Sequence, residues 1–137
     1  MKASLVQLNN YVFLKTEINL NPSFNLNKSF NLKAEYIDCQ LQSAIGKDEQ
    51  FFAELKLSID PGRHVEANLP YKIELAAVGQ VSVDKSYDKD QEELAVINGA
   101  TLIYSAMREH LLYLTSRYPN GTILLPVVDF RGLKKSK

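Results

Sequence analysis

The sequence predicts an α+β domain: a four-stranded, mostly antiparallel sheet followed by one long helix. Three observations carry that prediction. Four stretches alternate apolar and polar residues with the two-residue period of a half-buried strand. All four precede the helical stretch instead of interleaving with it, which favours an antiparallel sheet over parallel crossovers. Residues from about 98 to 118 then repeat their apolar positions with the period of a helix. The chain has 137 residues, the size of one domain, and residues 1–137 are read as a single unit.

From Val6 to Leu20 the even positions carry Val6, Leu8, Val12, Leu14, Thr16, Ile18 and Leu20. Asn10 interrupts the set, and Tyr11 and Phe13 lie on the other parity, so the strand is expected to bulge or bend near Asn9-Asn10 or to be covered on both faces. Asn21 to Lys33 is a loop by its Pro22 and its many asparagines and serines. It contains an echo, Ser23-Phe-Asn-Leu-Asn-Lys followed by Ser29-Phe-Asn-Leu-Lys, that is too short for a repeat architecture and places Phe24, Leu26, Phe30 and Leu32 in expected surface. Ala34 to Ser43 and Ala53 to Ile59 alternate on either side of Gly46-Lys-Asp-Glu and suggest a hairpin. After the Asp60-Pro-Gly break, Tyr71 to Val83 is the fourth strand, with Gly79 at a bulge or close approach. Asp84 to Asp90 is a polar connector, Glu92-Glu-Leu opens a short helical turn, and the long helix follows until Pro119-Asn-Gly stops it. Thr122 to Phe130 runs extended.

Sixteen basic residues balance sixteen acidic ones, which gives no electrostatic footprint for nucleic acid or an anionic membrane. One cysteine, Cys39, cannot close an internal disulfide, and the N-terminus has no signal-peptide pattern, so the cytoplasm is the expected location. No apolar run is long enough to cross a bilayer. The phosphate-binding glycine motifs are absent, as is the cysteine or histidine spacing of a metal site; no cofactor is expected. His110 with a serine and Asp129 is the one combination that could form a triad, but a polar flank position fits His110 better. His64 lies in the turn Pro-Gly-Arg-His, and Cys39 alternates with Ile37 and Leu41 as a small core residue. The chain is not expected to be an enzyme.

On a helical wheel at about 100° per residue, Ile97, Ala100, Ile103, Tyr104, Met107, Leu111, Leu114 and Tyr118 share one arc meant for the sheet. Nearly opposite stand Leu102, Ala106 and Tyr113. Thr101, Ser105, Arg108 and Glu109 separate this second stripe from the first on one side, His110 and Arg117 on the other. Two stripes ask for two layers: the sheet, and a second copy of the helix across a symmetric contact. Leu102, Ala106 and Tyr113 are the expected oligomer interface.

Several segments resemble the bacterial protein-export chaperones called SecB. The family's valine-asparagine-glycine-like lead into a helix bearing Arg-Glu, followed by an apolar-Pro-Val segment and a terminal Phe, is similar to Ile97-Asn-Gly, Arg108-Glu109 and Leu125-Pro-Val-Val-Asp-Phe130. Glu17-Ile-Asn-Leu-Asn-Pro22 resembles the stretch that ends the family's first strand. The resemblance covers nearly the whole chain in element order and implies a dimer of dimers with the long helices between the sheets. It further implies an ATP-independent holdase that keeps unfolded or nascent polypeptides in apolar grooves for export, working by affinity for the unfolded state.

The chain departs from the family in Tyr104-Ser-Ala-Met, where the relatives have Phe-Pro-Tyr before Ala-Arg-Glu. It stops at Leu133-Lys-Lys-Ser-Lys, so the second helix and acidic tail are expected to be missing. Of two family acidic positions that help dock the export motor, Glu17 is retained and Asn21 is neutral. The alternative reading is therefore a SecB-like chaperone dedicated to a toxin-antitoxin system, or another single-partner adaptor. Phe24, Leu26, Phe30, Leu32, Phe51 and Phe52 are the expected client contacts, since adaptable apolar area suits varied clients. The expected partners are unfolded clients, further copies of the chain, and the motor or an antitoxin.

Overall fold

The computed structural model describes residues 1–86 and 90–131. Strands β1 (Val6–Leu20), β2 (Asp38–Ile45), β3 (Phe51–Ile59) and β4 (Tyr71–Val83) precede helix α1 (Gln91–Thr115). They form one antiparallel sheet in the order β1-β4-β3-β2, which is the predicted class. The long β1–β2 connection crosses the end of the sheet so that β1 pairs with β4 at one edge. Part of the acidic connector and the closing Lys134-Lys-Ser-Lys lie outside the described residues.

Alternation decides which face meets the helix. Phe51, Ala53, Leu55, Leu57 and Ile59 of β3 and Tyr71, Ile73, Leu75, Ala77 and Val81 of β4 are buried on one face. Between them on β3, Phe52, Glu54, Lys56 and Ser58 point the other way. Strand β1 switches parity twice. Its pairing slips between Leu8 and Asn10, as expected near Asn9, and again between Phe13 and Lys15, which the alternation alone does not reveal. Each extra residue inverts the pleat. Phe13 thereby joins Leu8 and Ile18 against the core, whereas Tyr11, brought to the same face, stays exposed, as do Val12 and Leu14, expected to face the core.

Helix α1 is one continuous element that includes the short helical turn expected at Glu92-Glu-Leu. Asp90 caps it by accepting from the Glu93 amide at 3.1 Å, and Ala95 and Val96 bury the first turn. It lies close to the sheet because a Cβ on Gly99 would come within 2.8 Å of Val81 Cγ2. One on Gly79 would meet Leu8 Cδ1 at 2.6 Å and Ile103 Cδ1 at 3.1 Å, so Gly79 marks a close approach and not a bulge.

The segment Thr122 to Phe130 is extended but joins no strand. It returns along α1 as a strap that buries Ile123, Leu125 and Phe130. Arg108 Nε donates to the Leu125 carbonyl at 2.8 Å and Tyr104 donates its hydroxyl to the Pro126 carbonyl. Thr115 joins helix and strap: its hydroxyl donates to the Leu111 carbonyl at 2.6 Å and accepts from the Ile123 amide at 2.9 Å, both buried. Thr115→Val keeps the shape but strands the buried Ile123 N–H, a loss of about 1–3 kcal/mol. A lower denaturant midpoint with an unchanged slope is the expected result; an unchanged midpoint would show that the strap does not depend on this bond.

Candidate functional site

The loop Asn21 to Lys33 lies at the end of the sheet where β1 finishes and β4 begins. The Asn21 amide donates to the Pro70 carbonyl at 3.0 Å and its side chain to the Leu69 carbonyl at 2.8 Å. The segment after α1 reaches the same end, where Asn120 Nδ2 donates to Pro70 O at 3.0 Å and Tyr71 to Gly121 O. Three connections therefore converge here.

The echoed sequence splits into two roles at this end. Phe24 and Phe30 meet edge to face with centroids 6.0 Å apart, both half-buried, and Phe30 packs on the core. Leu26 is 74% exposed, whereas Leu32, expected at the surface, is buried in the core at 9%. The two copies thus pin the loop with one leucine and display the other.

Phe51 and Phe52 belong elsewhere. They pair with Val81 and Gln80 at the far end of β4, about 30 Å along the strand from Tyr71 at roughly 3.3 Å per residue. Phe51 faces the core and is buried. Phe52 lies on the outer face, its ring against Gly46 of the hairpin turn. The six expected contacts accordingly do not line one groove: Phe24, Leu26 and Phe30 share the loop at one end of the sheet, Phe51 and Phe52 lie at the other, and Leu32 and Phe51 are buried.

The second helix stripe is uncovered in the subunit. Leu102 and Tyr113 are exposed and Ala106 half-buried, and Leu112, which the wheel placed in neither stripe, widens the apolar back of the helix. Beside it an open hollow of about 350 Å³ between β1 and α1 is lined by Val6, Leu8, Asn98, Thr101 and Leu102. Glu17 stands exposed on the outer face of edge strand β1, 3.8 Å from Lys15. Lys15 also bonds Glu74, which holds the Glu74 carboxyl below its usual range.

Among the described residues His64, Cys39, His110 and Asp129 each have separate neighbours. Asp129 is held by Arg131, which brings its carboxyl down to about 2. His110 stacks on Phe13 with centroids 4.0 Å apart and shares a 3.1 Å hydrogen bond with Thr16 Oγ1. His64 lies against Tyr36. Cys39 packs on the core, and burial, aided by Asp38, pushes its thiol up to about 11. Among the described residues no group of histidine, cysteine and carboxylates is placed to hold a metal, and no helix is long and apolar enough to cross a membrane.

A four-stranded antiparallel sheet followed by one long helix is the SecB-like fold. Among solved structures the chain is similar to the Mycobacterium tuberculosis Rv1957 SecB-like chaperone, in complex with a ChAD peptide from the Rv1956 HigA1 antitoxin. The TM-score is 0.54 at 15% sequence identity, over 90% of this chain and 88% of that one. No protein-family profile and no curated protein matches the sequence.

Burial lowers the pKa of His110 below its usual 6.5, because the partly desolvated cleft disfavours imidazolium. The unfolded chain then binds the proton first as pH falls, so stability is full above about 6.5 and declines below it. A melting temperature that drops from pH 7.5 toward 5.5 in the wild type, and drops less in His110→Gln, is expected. Equal slopes in both proteins would remove His110 from the pH response.

Proposed function

We propose that this chain is an ATP-independent chaperone, a holdase that binds extended apolar segments of unfolded polypeptides. The observation that carries the reading is the apolar surface left open on a SecB-like scaffold: Leu26 beside the Phe24–Phe30 pair, and Leu102, Leu112 and Tyr113 on the helix back. Such patches favour partners, and a partner that is unfolded gains most from contact area without directional readout. Binding the unfolded state withdraws it from aggregation by mass action. Phe24, Leu26, Phe30 and Phe52 are the proposed client contacts; Leu32 and Phe51 are buried. The chain acts in the cytoplasm in this reading.

Service to one partner is favoured by a specific observation, the antitoxin peptide bound to the similar mycobacterial chaperone. A dedicated client such as an antitoxin is therefore the second reading. Glu17, exposed at the β1 edge, is the proposed docking point if the chain hands clients to an export motor. An unfolded, aggregation-prone protein diluted with stoichiometric chain should scatter less light than alone, with no nucleotide added. Undiminished scattering would sink the general holdase, and protection confined to one cognate antitoxin would establish the dedicated form.

The helix stripe is the proposed assembly surface, closing a tetramer as a dimer of dimers. Leu102→Glu with Tyr113→Glu places charge in the seam while Ile103, Met107 and Leu111 keep the subunit core. At about 2 kcal/mol for each central contact, the double variant should dissociate to smaller species by light scattering at micromolar concentration with its helical circular dichroism retained. A wild type that runs as a monomer, or a variant that assembles normally, would rule the seam out.

A further inference from the structure

We propose that Asn68 is the positioning residue that turns the Asn21–Lys33 loop into a preformed apolar ledge for an extended client segment; this rests on the client-binding reading above. Asn68 occupies the left-handed region at φ 52°, ψ 51°, a conformation that asparagine tolerates and most other side chains resist. From there its amide closes on the loop. Oδ1 accepts from the Asn25 amide at 2.8 Å, and Nδ2 donates to the Asn25 carbonyl at 3.0 Å and to the Lys28 carbonyl at 3.1 Å.

Those two carbonyls belong to the first and last residues of one turn. The Lys28 amide donates to Asn25 O at 3.2 Å, and the Asn27 amide to Asn25 Oδ1 at 2.9 Å. Leu26 stands at the corner of this turn, 74% exposed. A leucine has no local reason to sit there, since turns draw polar residues, glycine and proline. The clasp takes the amide and carbonyl of Asn25 and the carbonyl of Lys28, and the leucine side chain is left exposed in the same loop as the Phe24–Phe30 pair.

Preforming such a ledge lowers the entropy lost on binding. A loop of this composition, if untied, would have to order itself at each encounter. Asparagine alone supplies the left-handed backbone, one acceptor and two donors at a single position, so the function is concentrated in one residue outside the loop that it shapes.

The test uses the full chain and a fluorescent, unstructured peptide rich in leucine and phenylalanine. Asn68→Gly keeps the left-handed backbone without strain and removes the clasp. It should speed hydrogen exchange at the Asn25 and Lys28 amides, weaken peptide binding about tenfold and leave the melting temperature near that of the wild type. Asn68→Asp sets a charge against two carbonyls; it should weaken binding at neutral pH and recover as the carboxyl is protonated, a profile absent from the wild type. Leu26→Ser should weaken binding without changing exchange. Faster exchange with unchanged affinity in Asn68→Gly overturns the positioning role and leaves the holdase reading intact, as does unchanged exchange. A wild type that fails to bind the peptide overturns the client-binding reading, and the inference with it.

Discussion

A single helix cannot cover a four-stranded sheet. An α-helix with side chains is about 10–12 Å across, whereas four strands about 4.8 Å apart present a wider face. Helix α1 lies mainly over β3 and β4 and reaches β1, so both flanks need other means of closure. On the β1 side, two bulges re-aim the strand until Phe13 and Thr16 meet His110. The strap runs along the opposite flank, tied to Tyr104, Arg108 and Thr115, which on the wheel lie across the helix from His110.

The resemblance noted in sequence gains a physical content from this. Arg108 and Leu125-Pro126 are distant in the chain, yet the guanidinium of one holds the carbonyl of the other, and Phe130 closes on Tyr104. These are the fastenings of a strap. The helix that carries them lies close to the sheet where Gly79 and Gly99 lack side chains. Residues that look like scattered family marks are thus one mechanical unit.

Covering one face of the sheet in this way uses one side of the helix and leaves the other bare. No element among the described residues covers Leu102, Leu112 and Tyr113, while the outer face of the sheet carries Lys15, Glu17, Lys56 and Glu74 beside the exposed Val12. The surface ion pairs there add little to stability. The exposed apolar side chains of the helix back and of the loop end are the two places proposed for assembly and client contact.

Period and punctuation in the sequence determined the element order, the strand parity of β3 and β4, the core arc of the helix and its second stripe, because each depends on neighbours within a few residues. The first bulge was legible for the same reason: Asn10, Tyr11 and Phe13 break the alternation openly. The second bulge and the burial of Leu32 and Phe51 were not, since each depends on what the rest of the chain brings opposite. The candidate site was legible only as composition. Phe24, Leu26 and Phe30 stood out as apolar residues in a polar loop, but only the tertiary structure decided that Phe51 and Phe52 lie at the other end of the sheet and that Asn68 grips the Leu26 turn. Hydrogen bonds between residues more than forty positions apart leave no periodic trace; they exist because folding brings two loops to the same end of one sheet.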